Sequence, residues 1–124
     1  YNFVITESET SPLSNIDEKF LLKLNSLVIE NLSNPALDVQ YLTSNIGMSR
    51  SSLYAKMKAL TSMSINDYIN KLRIEKATQM LTNTDLTILA ISEQTGFNSQ
   101  RYFSTAFKAV VGCTPSQYRD SHKT

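Results

Sequence analysis

Apolar residues recur over most of the chain at intervals of three and four, with polar residues between them. That spacing sets one side of an α-helix against a core and leaves the other in water. Phe20, Leu24, Leu27, Val28 and Leu32 outline a first helix, with Ser14 and Asp17 as its start signal and Asn34-Pro35 as its stop. Asp38 predicts the N-cap of a second, shorter helix with Val39, Leu42 and Ile46 inward, ended by Gly47. Ser49 caps a third helix whose inward residues are Leu53, Met57 and Leu60. The run Ser64-Ile65-Asn66-Asp67 has the form of a capping box and opens a longer helix, about residues 64–81, with Ile65, Ile69, Leu72 and Met80 apolar. After the polar break Thr82–Asp85 the pattern starts again. Ile88, Ala90 and Ile91 precede Gly96; Ser99 then caps a helix with Phe103, Phe107 and Val110 inward, which Gly112 ends. Thr114-Pro115-Ser116-Gln117 supplies a cap, a proline at N1 and a glutamine at N3 for a last short helix, about 115–120. Only residues 1–6 hint at the alternation of a strand. The expected fold is all-α with about seven helices, residues 1–16 forming a polar linker or tail and 17–121 the domain.

Shifting the sequence along itself exposes a repeat. At a shift of 49, Val39, Leu42 and Gly47 fall on Ile88, Ile91 and Gly96; at 50, Leu53, Met57, Lys58, Leu60 and Tyr68 fall on Phe103, Phe107, Lys108, Val110 and Tyr118. Each copy is helix, glycine-containing turn, helix, so the chain reads as two helix-turn-helix units, about 38–61 and 87–111, joined by the long helix. In such a unit the second helix lies in the major groove of DNA, so its outward residues must be polar, small or cationic. At 100° per residue the face opposite Leu53, Met57 and Leu60 is Ser51, Ala55 and Lys58, and its counterpart is Arg101, Thr105 and Lys108. Neither face carries an acid that would repel phosphate. Arg50 and Gln100 stand at the helix N-termini, where base edges are reached, and Ser52 and Ser99 complete the candidate set there. Tyr54 lies at about a right angle to the core, where it either flanks the groove or covers an apolar edge. The linker helix, at about 1.5 Å per residue, spans roughly 27 Å, a length suited to holding two reading helices near the ~34 Å spacing of successive major-groove windows.

Charge strengthens this picture. Residues 1–38 hold two basic residues against six acids, a net of −4, and 39–124 hold ten against five, a net of +5. An anionic partner for the C-terminal portion follows. Composition excludes other classes: one histidine, His122, and one cysteine, Cys113, make neither a four-ligand zinc site nor a nucleophile with its base. Three scattered glycines make no phosphate-cradling loop, so no enzyme, cofactor or metal is expected. No apolar run approaches the roughly 20 residues of a membrane span. No signal peptide is visible either, and the missing initial Met is what a segment of a longer protein would show. A single thiol fits a reducing, cytoplasmic setting.

The stretch from Gly96-Phe97-Asn98-Ser99-Gln100-Arg101-Tyr102-Phe103 through Phe107-Lys108 to Gly112-Cys113-Thr114-Pro115, with Tyr118-Arg119, resembles the signature of AraC/XylS-type transcription regulators. The likeness covers about Asp17 to Ser121. Met48-Ser49-Arg50-Ser51-Ser52-Leu53-Tyr54 and Lys56-Met57-Lys58-Ala59-Leu60-Thr61 are similar to the output domain of Bacteroides-like hybrid two-component sensors. The resemblance implies sequence-specific binding of double-stranded DNA through helices at about 49–60 and 99–110. It also implies a parent protein that senses a ligand, often a glycan fragment, outside the cell and signals by phosphotransfer. Such a parent is an inner-membrane sensor and a candidate dimer, with RNA polymerase a further candidate partner. Ala55 and Thr105 stand where many members carry arginine, so the family's target sequences do not carry over.

The competing reading is a helical protein-interaction domain that kept the fold without strong DNA binding. Ala55 and Thr105 favour it, and Phe97, Tyr102, Phe103 and Phe107 would be its partner patch, although their spacing suits a core. With Gln100, Arg101, Thr105 and Lys108, the second unit is expected to carry at least as much specificity as the first, which offers Arg50, Ser51, Ala55 and Lys58.

Overall fold

The computed structural model describes residues 15–122, and seven α-helices with no strand make up its regular structure. They are α1 Asn15–Glu30, α2 Val39–Ile46, α3 Arg50–Thr61, α4 Ile65–Asn83, α5 Ile88–Gln94, α6 Gln100–Val111 and α7 Pro115–His122. Most of the expected linker, the start signal at Ser14 and the alternating residues 1–6 lie outside the described residues. Asn15 and Ile16, expected in the linker, already belong to α1. By contacts the chain forms two units: one up to Asn31 plus Leu37–Tyr68, the other Leu32–Ala36 plus Ile69 onward.

In the first unit, α1 buries Leu21, Leu24 and Val28, while α2 and α3 bury Val39, Leu42, Leu53 and Met57. Each such side chain withdrawn from water contributes about 1.5–3 kcal/mol before entropy is counted. Phe20, expected inward, is half-buried: its ring lies beneath the Lys56 ammonium, 5.5 Å from the ring centre. On a 100° repeat Leu21 lies 40° from the mean direction of Leu24 and Val28 and Phe20 lies 60° from it on the other side, and Leu21 takes the inward place. At the start of α4, Ile65 and Tyr68 close the core, and the Tyr68 hydroxyl donates to Asn25 Oδ1 at 3.1 Å.

Local chemistry sets the ends of the helices. Asp38 Oδ1 accepts from Tyr41 N at 3.0 Å, and Ser49 Oγ from Ser52 N at 3.1 Å. Each satisfies an amide that the helix itself leaves unpaired. Gly47 adopts φ 80° and returns its N–H to Thr43 O. The first helix departs from expectation at its end. It stops at Glu30 rather than at Asn34-Pro35, because the Asn31 side chain bonds back to Leu27 O at 2.8 Å and occupies a terminal carbonyl. Leu32 therefore lies beyond the helix, buried in the second unit.

That unit is built around Ile74, Ala77, Leu81, Ile91, Phe97, Phe103 and Phe107. An unbroken series of ring contacts runs from Tyr102 to Phe97, Phe103, Phe107 and Tyr118, with centroids 5.1–5.8 Å apart in tilted or edge-on pairs. Val110, expected inward, is 39% exposed, and Val111 packs on the core instead. On a 100° repeat Val110 and Val111 lie 40° and 60° to either side of the mean direction of Phe103 and Phe107, so helix phase does not separate them, and it is Val111 that meets the core cluster. Thr114 and Gln117 close a reciprocal capping box for α7: Gln117 N donates to Thr114 Oγ1 at 3.1 Å, and Thr114 N to Gln117 Oε1 at 2.9 Å.

Two arginines tie loops to this core. Buried Arg73 donates from Nε to Leu32 O at 3.2 Å and from Nη2 to Asn34 O at 2.8 Å. Arg119 donates to Leu81 O and Thr84 O at 3.1 and 3.2 Å. Leu32 and Leu81 are related by the same shift of 49 that relates the helix-turn-helix units. Burial pushes the Arg73 guanidinium down from its ordinary value, and Tyr102 opposes that shift. An arginine so placed still keeps its charge at any physiological pH.

Candidate nucleic-acid interface

The second helix of each unit buries one side and leaves the other free. On α3, Leu53 and Met57 are buried, whereas Arg50, Ser51, Ser52, Tyr54, Ala55 and Lys58 are all exposed. On α6, Phe103 and Phe107 are buried, and Gln100, Arg101, Thr105 and Lys108 are exposed, with Ser99 exposed at the cap. Neither helix contains an acid. The remaining cation of α3, Lys56, turns the other way and pairs with Asp17 at 3.0 Å.

Hydrogen bonds decide what each group still offers. Ser49 donates its hydroxyl to Ser52 Oγ at 3.0 Å, so the Ser52 O–H is left to reach outward. Arg50 is held weakly by Gln40 of α2, Nη2 to Oε1 at 3.5 Å, a steering contact across the turn with no signal in the sequence. Ser99 Oγ accepts from Tyr102 N at 3.0 Å and keeps its hydroxyl proton. Thr105 is the reverse case. Its hydroxyl donates to Arg101 O at 3.1 Å, so toward a partner it offers only lone pairs and a methyl group. Such a residue can accept from a base amino group or touch a thymine methyl, but cannot donate to phosphate. Ala55 likewise offers only a methyl. Gln100 and Arg101, at the first two positions of α6, carry the free polar ends of that turn.

Tyr54, 45% exposed, leans with Lys58 over a cavity of about 390 Å³ lined also by Val39, Met63, Ile65 and Asn66. Of the readings left open for Tyr54, covering an apolar edge is the one this placement favours. Three of the four aromatics considered as a partner patch, Phe97, Phe103 and Phe107, are buried, and Tyr102 is 49% exposed. Among the described residues no three His, Cys, Asp or Glu side chains come together to hold a metal ion, and no helix is long and apolar enough to cross a membrane.

Residues 42–121 match a family model described as a helix-turn-helix domain. The histidine kinase P4 of Formosa agariphila is 38% identical over 118 residues, which is 95% of this chain but 8% of that protein. Among solved structures, the C-terminal domain of AraT, a response regulator from Geobacillus stearothermophilus, superposes with a TM-score of 0.81 at 31% identity, covering 92% of this chain and 91% of that one. A transcriptional regulator with an AraC-type DNA-binding domain from Chromobacterium violaceum gives 0.80 at 25% identity, covering 88% and 96%.

Proposed function

This chain belongs to the AraC-type helix-turn-helix family of DNA-binding transcription regulators, and on that premise we propose that α3 and α6 are its two reading helices on one duplex. The observation that carries this reading is the exposure of every candidate residue on two acid-free helix faces whose opposite sides anchor the cores. Gln100 and Arg101 read base edges from α6, with Arg101 suited to the paired acceptors of a guanine. Lys58, Lys108, Ser52 and Ser99 hold phosphates, and Arg50 reads or clamps at the start of α3. The chain acts as a binding module without catalysis, inside the cytoplasm. It is the output part of a longer sensor, as the 8% share of the kinase's length suggests. Pairing of two such sensors and contact with RNA polymerase belong to the same proposal.

Selection of bound sequences from a random duplex pool tests it, run with the native chain and with Arg101→Ala. The native chain is expected to enrich a defined site. The variant should lose about 1–3 kcal/mol at one half-site only. An equal loss on unrelated sequences would mean that Arg101 merely grips phosphate.

The inward-turned Thr105 hydroxyl and the bare Ala55 favour a second reading, a protein-interaction domain with little DNA affinity. It would show as absent binding near ~10⁻⁵ M at low salt, where even non-specific DNA binding by this fold is measurable.

A further inference from the structure

Tyr102 is the third residue of α6, next to Arg101, and its ring is half-exposed. A tyrosine left so open would be free to swing, yet this one is fixed at both ends. Its ring meets the edge of Phe97 at 5.6 Å between centroids, and its hydroxyl accepts from Asn70 Nδ2 of α4 at 2.9 Å. One turn along α4 from Asn70, the Arg73 guanidinium lies over the same Phe97 ring at 5.9 Å. Its hydrogen bonds to the Leu32 and Asn34 carbonyls hold it there. Asn70 and Arg73 thus present one face of α4 to the rings at the entry of α6.

The rest of α6 is anchored by Phe103 and Phe107, both fully buried. Phe103, which closes the first turn, and Phe107 one turn on fix the inner side of the helix axis, and the Asn70–Tyr102 bond adds a restraint on the roll of that first turn from the outer side. Gln100 and Arg101 project from that turn. A bidentate contact to a base tolerates errors of only a fraction of an ångström and ~10–20°, so a small tilt costs selectivity before it costs attachment.

We propose that Tyr102 and Asn70 form a positioning pair that sets the base selectivity of α6, although Asn70 lies on a different helix from the reading residues. The proposal rests on α6 being a reading helix. Tyr102→Phe keeps the ring packing and removes the bond; Asn70→Ala removes its other half. Asn70→Asp restores a bond in the opposite sense, because a carboxylate accepts from the tyrosine hydroxyl.

The test uses the 124-residue chain. At fixed salt, affinity is measured for the selected duplex and for a random-sequence duplex, alongside the thermal midpoint. Tyr102→Phe and Asn70→Ala are each expected to lower the ratio of the two affinities five- to tenfold, at the same base pairs that Arg101→Ala affects, with the random-duplex affinity unchanged within twofold. The double variant should be no worse than either single one. Asn70→Asp should weaken both duplexes, through its added charge, and keep the ratio. An unchanged ratio in the single variants overturns the proposal, whatever happens to the thermal midpoint. Equal losses on both duplexes also overturn it and make Tyr102 a phosphate contact. A native chain with no preference among duplexes overturns the DNA-reading assignment itself, and this pair with it.

Discussion

At the scale of single residues, the left-handed positions separate two demands that a sequence cannot tell apart. Gly47 and Gly112 have φ of 80° and 99°, and a Cβ on either would meet nothing within 4 Å. Only the backbone angle asks for glycine there. Ser62, which ends α3 as Gly112 ends α6, holds φ 63° without that freedom. A non-glycine residue in this region costs about 1 kcal/mol. Ser62→Gly should therefore stabilise the chain in urea titrations by about 0.5 kcal/mol, the part of that cost left once the entropy glycine adds to the unfolded state is subtracted. Gly112→Ser should destabilise by a similar amount. Gly96 carries both demands. Its φ is 86°, and a Cβ would run into the Leu32 carbonyl oxygen and crowd the Arg73 guanidinium. Gly96→Ala is expected to cost about 3 kcal/mol or more, since backbone strain and overpacking add. The glycines were legible in the sequence as helix ends. The steric demand at Gly96 was not, because it comes from a segment far along the chain that folds back onto it.

Helices were legible where local chemistry decides, and obscure where tertiary contacts do. The caps Asp38, Ser49, Ser99 and Thr114 need only a side chain and an amide three residues on, and the sequence shows both. Thr114→Ala should accordingly cost about 1 kcal/mol of stability, with the loss read as a lower thermal midpoint. Gln117→Ala should cost less, because Thr114 Oγ1 would still accept from the backbone at 117. By contrast, α4 buries Ile65, Tyr68, Ile69 and Leu72 along its first half and Ile74, Ala77 and Leu81 along its second. A helix that serves two cores carries apolar residues around much of its circumference, so a single-stripe reading found only part of them. Arg73 and Asn70 escaped for the same reason. Both are polar residues in the middle of a helix, and what they do depends on partners more than thirty residues away.

Over the whole chain, the excess positive charge beyond residue 38 becomes a measurable quantity once the structure shows which cations are exposed on the proposed reading faces. Arg50, Lys58, Arg101 and Lys108 are exposed on α3 and α6, while Lys56 is paired with Asp17. Each cation that neutralises a phosphate releases counterions and adds about 0.9 to the slope of log affinity against log salt. Lys58 and Lys108 as phosphate contacts give a slope of magnitude about 1.8, Arg50 raises it to about 2.7 if it clamps, and neither Arg101 reading a base nor hydrogen bonds from Ser52 or Ser99 add to it. Lys58→Ala and Lys108→Ala should each lower the magnitude of the slope by about 0.9, equally on selected and random duplexes. Lys56→Ala is the internal control: the same charge is lost from the same helix, yet the slope should hold. A slope that falls as far for Lys56→Ala as for Lys58→Ala would mean that net charge, and not the face it stands on, draws this domain to DNA. A slope near zero for the native chain would remove DNA binding by these helices altogether.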